Sequence, residues 1–275
     1  MTMGVSRRIG VLSGVLLVLA VAAPAARAAA IDFAGAVDVN GCSGSLVRMP
    51  GSRDDDRALV LTNGHCYDGP WPVPDEVLVD QPADRAFDLL DGAGEPIAAL
   101  TATKALYVTM TGTDIALYQV ASTYRELARE HGVRPRTVSA ERPARGADIR
   151  VVSGSLRQIF SCRVDHVAYR VLEAGYVTKD VLRYGPACNT GPGTSGSPVV
   201  DAGSGDVVAI NNTSNRDGGQ CTENNPCEMD RYGVITVHKG IGYGTQTHWL
   251  TTCVAGHRLD LDRRGCLLPR PDPRI

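Results

Sequence analysis

The sequence has no surplus of basic residues: 28 Lys and Arg face 30 Asp and Glu, a formal charge of −2 over 275 residues. That excludes the electropositive footprint of a nucleic-acid-binding protein. It also lacks a second long apolar run. Beyond residues 9–23 no stretch is long and apolar enough to cross a bilayer, and this run is itself short for a span. It follows Arg7 and Arg8, is broken by Pro24, and precedes the small-residue pairs of Ala26-Arg27-Ala28 and Ala28-Ala29-Ala30. This is the pattern of an export signal. Residues 1–28 read as a signal peptide, with the mature chain starting at Ala29 or Ile31. Cleavage removes three arginines and no acid, leaving a mildly acidic, secreted, extracellular protein with no membrane contact. At 43% hydrophobic residues, the chain has material for a real core and is not of disordered composition.

No cysteine precedes residue 42, and the eight that follow (Cys42, Cys66, Cys162, Cys188, Cys221, Cys227, Cys253 and Cys266) are even in number. In an exported chain that reads as four disulfides, whose connectivity counting alone cannot give. A zinc site fits poorly, because Cys221 and Cys227 are too widely spaced and no His pair follows them. Asp54-Asp55-Asp56 lacks the spaced ligands and turn glycine of a cation loop and reads as a solvated hairpin. No metal and no cofactor are expected.

From residue 34 onward, short apolar runs rich in Val, Ile, Thr and Tyr alternate with Gly, Pro, Asn and Asp every eight to twelve residues, an all-β signature. One segment differs. Thr123 and Glu126 have capping-box spacing and Gly132 offers a stop, which predicts a short helix. Residues 122–147 therefore read as a connection between an N-terminal β unit, 29–121, and a C-terminal one, 148–254. Strands are expected within residues 149–152, 160–171, 197–200, 207–210 and 233–237. A closing helix is expected over residues 245–254, and residues 255–275 form a Pro-containing tail.

Three local patterns stand in the order His, Asp, Ser: Leu61-Thr62-Asn63-Gly64-His65-Cys66, Gly112-Thr113-Asp114-Ile115-Ala116-Leu117 and Gly191-Pro192-Gly193-Thr194-Ser195-Gly196-Ser197-Pro198. A serine hydroxyl is a weak nucleophile near neutral pH and needs a base within hydrogen-bond reach, itself oriented by a third group. The order opposes an α/β-hydrolase, which runs Ser, Asp, His and has Gly two residues after the nucleophile, where Ser197 stands here.

The combination resembles the trypsin/chymotrypsin-like serine proteases, most nearly bacterial exported members with a Gly-x-Ser-Gly-Ser-Pro nucleophile motif. The likeness extends to Cys42-Ser43-Gly44-Ser45-Leu46-Val47, similar to that family's Cys-Gly-Gly-Ser-Leu-Ile strand. Gly233-Val234-Ile235-Thr236 is similar to its pocket strand, and His248-Trp249-Leu250 to its terminal helix. The resemblance implies two antiparallel six-stranded β-barrels with a short C-terminal helix and a catalytic cleft between the barrels. It implies His65, Asp114 and Ser195 as the triad, and the N–H groups of Gly193 and Ser195 as the oxyanion hole. Asn189, Thr190, Asn212, Thr213 and Gly233 are then the candidate substrate-pocket residues. The resemblance implies a Cys42–Cys66 bond beside the histidine. Cys221–Cys227 and Cys253–Cys266 are the simplest local loops, leaving Cys162–Cys188, with Cys188–Cys221 as an alternative. Thr194 replaces the Asp that receives a new N-terminal ammonium in trypsin-like zymogens, and no Ile-Val-Gly-Gly segment exists, so no buried N-terminal ion pair is expected. The implied function is a secreted, monomeric serine endopeptidase acting on protein or peptide substrates. The alternatives are a non-catalytic protein of the same fold that binds a protein or cell-surface partner, and a disulfide-stapled binding module of another fold.

Overall fold

The computed structural model describes residues 30–272, together with Met1 and Gly4; the signal-peptide reading of residues 1–28 otherwise lies outside the described residues. The first unit comprises β1 (Ala36–Asp38), β2 (Ser43–Arg48), β3 (Arg57–Thr62), β4 (Val77–Pro82), β5 (Ala86–Leu90), β6 (Pro96–Thr109) and β7 (Ile115–Thr123). Strands pair in the order β1-β5-β6-β7-β3-β2, and β1 pairs back to β2, closing a six-stranded barrel with β4 appended to β6. Its interior is filled by buried Leu46, Val60, Phe87, Leu89, Val108 and Tyr118 among others. Alternation explains β5: Phe87 and Leu89 face in and Asp88 faces out.

The connection contains α1 (Tyr124–His131) and β8 (Arg136–Thr137). The capping box forms as the sequence predicts. The Thr123 hydroxyl accepts the Glu126 N–H at 3.2 Å, and the Glu126 carboxylate accepts the Thr123 N–H at 2.8 Å. Gly132 ends the helix at φ 68°.

The second unit comprises β9 (Asp148–Ser153), β10 (Gln158–Glu173), β11 (Tyr176–Tyr184), β12 (Pro198–Asp201), β13 (Val207–Ser214), β14 (Cys227–Met229), β15 (Ile235–Thr236) and β16 (Gly242–Gln246). The order β11-β16-β13-β12-β9-β10, with β10 pairing back to β11, closes a second ring of six, and β14 and β15 extend it. After it come α2 (His248–Thr252), β17 (Val254–Ala255) and β18 (Arg258–Leu259). A cluster including Leu61, Tyr107 and Leu117 of the first barrel, Val207 and Ile210 of the second, and Leu250 and Leu268 cements the barrels along one side. The cleft lies elsewhere between them, bounded by the loops described below.

Two expectations need correction. The strand beside β13 is Gly242–Gln246, whereas residues 233–237 contribute only the two-residue β15, paired with β14. The Gly-Tyr-Gly start of β16 is a packing requirement that reads in the sequence as a turn. A Cβ on Gly244 would stand 2.4 Å from the Tyr184 hydroxyl oxygen, and one on Gly242 2.7 Å from Thr190 Oγ1. Because Thr245 and Gln246 belong to this strand, the closing helix spans His248–Thr252 rather than residues 245–254.

The disulfides are Cys42–Cys66, Cys162–Cys188, Cys221–Cys227 and Cys253–Cys266, so the Cys188–Cys221 alternative is not adopted.

Candidate active site

His65 sits in a single 3-10 turn, Gly64–Cys66, directly after β3, and the Cys42–Cys66 bond ties that turn to the start of β2. Asp114 immediately precedes β7, the neighbour of β3, so the closed sheet brings the two together. Asp114 Oδ2 lies 2.7 Å from His65 Nδ1, and its Oδ1 accepts the His65 backbone N–H at 3.0 Å. The Asp114 side chain is only 6% exposed, against 22% for His65. Asn63 Nδ2 donates to the Asp114 carbonyl at 2.9 Å, while its Oδ1 accepts the Gly196 N–H. One side chain therefore joins the His/Asp barrel to the Ser195 loop.

Burial opposes a charged imidazole at His65. The charge and hydrogen bond of Asp114, followed by the charge of Glu173, outweigh it and hold the pKa above its ordinary 6.5.

Gly191-Pro192-Gly193-Thr194 forms a β-turn closed by the Thr194 N–H on the Gly191 carbonyl at 3.1 Å. Gly193 has φ +85°. Pro second and a positive φ third make this a type II turn. Types I and II differ by a flip of the central peptide, so this φ fixes the direction of the Gly193 N–H. The Gly193 carbonyl is pinned from both barrels, by the hydroxyls of Ser43 at 3.1 Å and Ser153 at 3.2 Å. Among the described residues, neither the Gly193 nor the Ser195 N–H donates to a backbone or side-chain acceptor. Thr194 is held inside the loop: its hydroxyl donates to the Gly191 carbonyl and accepts from Asn211 Nδ2 at 2.9 Å. The Ser195 carbonyl accepts the Ser43 N–H at 2.7 Å across the barrels.

The Ser195 hydroxyl donates to the Asn212 carbonyl at 3.3 Å and makes no hydrogen bond to His65. Ser195, His65 and Asp114 nonetheless line one cavity of about 310 Å³. Of the candidate pocket residues, Asn212 and Thr213 line it too. The other three do not. Gly233 is corrected outright: it lies on the exposed turn between β14 and β15, because β16 rather than residues 233–237 flanks β13. Asn189 is exposed beside the buried Cys188, and Thr190 is buried with its hydroxyl against Gly242 of β16.

The cavity also brings in Trp71, Tyr176 and Glu173, which sequence reasoning missed. Trp71 stands edge-on to the His65 ring, 6.3 Å between centroids, on the stiff run Pro70-Trp71-Pro72-Val73-Pro74. That run was the available signal for Trp71; Glu173 and Tyr176 at the β10–β11 tip carried none. Cys42, His65 and Cys66 cluster within 4.8 Å, but the two sulfurs are bonded to each other and offer no thiolate to a metal.

Residues 42–210 match the family described as "Trypsin-like peptidase domain", a span holding His65, Asp114 and Ser195. No curated protein matches the sequence. Among solved structures, the MamO protease domain from Magnetospirillum magneticum (apo form) is similar with a TM-score of 0.50 at 14% identity, over 81% of this chain and 97% of that one. The Rv3671c protease from M. tuberculosis (active form) has a TM-score of 0.47 at 17% identity, over 83% and 75%. The Nocardiopsis protease NAPase has 0.43 at 14%, over 79% and 92%. At 14% identity the likeness to the MamO protease domain concerns the fold alone. With the family match spanning well over half of its length, the chain belongs to the trypsin-like peptidases.

Proposed function

We propose that the protein is a secreted serine endopeptidase that cleaves peptide bonds through an acyl-enzyme on Ser195. The observation that carries this reading is the doubly bonded His65–Asp114 pair facing one cavity with Ser195. Asp114 fixes the imidazole with its Nδ1 proton toward the carboxylate, leaving Nε2 free to act as a base. On substrate binding the Ser195 hydroxyl exchanges the Asn212 carbonyl for His65, the tightening such complexes commonly bring. His65 then takes the hydroxyl proton as Ser195 Oγ attacks the carbonyl carbon, and delivers it to the leaving amine. Water attacks the acyl-enzyme by the same base. The Gly193 and Ser195 N–H groups receive the developing oxyanion; such a donor is worth about 3–4 kcal/mol. Hydrolysis of a mixed peptide library by the mature protein tests the activity. Ser195→Ala should lower kcat on the order of 10⁴- to 10⁶-fold with the fold retained.

The Ser195–Asn212 bond favours a second reading, a non-catalytic protein of this fold that binds a protein or cell-surface partner. On that reading, wild type and Ser195→Ala would be equally inert toward the library.

A further inference from the structure

The cavity is walled on the side of the β10–β11 hairpin. The Tyr176 hydroxyl donates to the Pro72 carbonyl at 3.0 Å, joining the hairpin to the Trp71 loop of the other barrel. Gly112 exchanges backbone hydrogen bonds with β11, its N–H to Val177 at 2.8 Å and its carbonyl from Lys179 at 2.9 Å. These contacts join the two barrels on that side of the cavity, where a substrate side chain or chain end would come up against them.

Glu173 stands at the wall, at the last residue of β10. Its Oε1 accepts the Asn224 N–H at 2.7 Å, and Asn224 presents that N–H from a backbone of φ +56°. The Asn224 loop is held in turn by the Cys221–Cys227 bond and by the Ala174 N–H on the Cys221 carbonyl at 2.9 Å. Thr213, near the end of β13 and next to Asn212, is close enough to favour the charged carboxylate. These are neutral partners. Among the described residues no Lys or Arg forms an ion pair with the carboxylate: His65 is a cation that bears on it, and Arg216 lines the same cavity without pairing to it. Burial raises the Glu173 pKa, the mark of a carboxylate removed from water without a full counter-charge. A fixed, half-desolvated carboxylate of this kind gains most from a cation brought to it.

We propose that Glu173 is the specificity residue of a cation subsite, taking a substrate's ammonium or guanidinium group in the walled end of the catalytic cavity. This rests on the peptidase reading and names the substrate class of the same site: peptides with a basic side chain near the cleaved bond, or with a free N-terminus close to it.

The test uses the mature full-length protein. In one arm, kcat/KM is measured for N-acetylated peptides with lysine, norleucine or glutamate placed in turn at each position around the cleaved bond. In the other, lysine-free peptides carry a free or an acetylated N-terminus at varied distances from that bond. The same peptides are titrated calorimetrically into Ser195→Ala, which gives the binding ratio without turnover. The cationic form should be preferred about tenfold or more, the scale of a charge-assisted hydrogen bond. Glu173→Gln should bring that ratio close to one, and Glu173→Lys should turn it toward glutamate-bearing peptides. A response in the first arm identifies a side chain, and in the second a chain end. No cationic preference, or a preference that Glu173→Gln leaves intact, overturns the proposal. Hydrolysis without preference leaves the peptidase reading standing, whereas preferential binding without hydrolysis removes that reading and keeps the subsite.

Discussion

Three donors converge on Asp114: the ring and the backbone N–H of His65 on its carboxylate, and the Asn63 amide on its carbonyl. The imidazole is thus fixed in place, and its affinity for a proton is raised by two carboxylates, Asp114 and Glu173, against the opposing effect of burial. A general base must be neutral to act, so kcat/KM falls as pH drops through the His65 pKa. The acid limb should have its midpoint above 6.5. Glu173→Gln removes one negative charge that favours the imidazolium, so it should move that limb to lower pH. A pH–rate profile of both proteins checks this; a midpoint at or below 6.5 in the wild type, or an upward movement in the variant, would contradict the assignment. At this scale the His65–Asp114 pair and the placing of Ser195 on the same cavity were legible in the sequence, because each residue sits in its own flanking pattern. Glu173 was not. Its surroundings come from Thr213 and Asn224, distant along the chain, and its position at a hairpin tip has no periodic signature.

Among the elements, β10 does the most to connect fold and site. It crosses the second barrel, pairs with β9, β11 and β14, and carries Cys162 near one end and Glu173 at the other. Cys162–Cys188 anchors it to the segment that leads into the Gly191–Thr194 turn. Replacing both cysteines by Ala should cost about 3 kcal/mol in the chain-entropy view, seen as a lower urea midpoint. It should also lower kcat, because the Gly191–Thr194 turn before Ser195 loses its anchor; a stability loss with kcat intact would separate the bond from the site. The barrel strands were legible wherever apolar residues alternate or run together, as in β3, β7 and β13. β16 was not, since the glycines that let it lie against Tyr184 carry no hydrophobic signal. The similarity of Gly233-Val234-Ile235-Thr236 to a pocket strand drew the assignment to the wrong segment.

The molecule as a whole holds Ser195 by contacts between barrels and within the loop. Ser43 and Asn63 reach the Ser195 segment from the first barrel, and Asn211 secures Thr194 from the second. Thr194 is thereby satisfied by neutral partners, with no need of an N-terminal ammonium. A mature chain extended by two residues before Ala29 should keep its full kcat/KM; an extension that abolishes activity, restored by trimming, would show that a free N-terminus is required. The four disulfides were legible at this scale from the cysteine count, and the closing of two rings of strands follows from the strand pattern together with the family resemblance. The walled cavity did not, because it arises from contacts between residues 72 and 176 and between residues 112 and 177. The central claim, that Ser195 is a nucleophile activated by His65, is tested most directly by covalent labelling. The mature protein is treated with a small phosphonylating reagent and the adduct is located by peptide mass spectrometry. A single adduct on Ser195, lost in His65→Ala, is the predicted result. No adduct, or one on Ser197 that survives His65→Ala, would contradict the account.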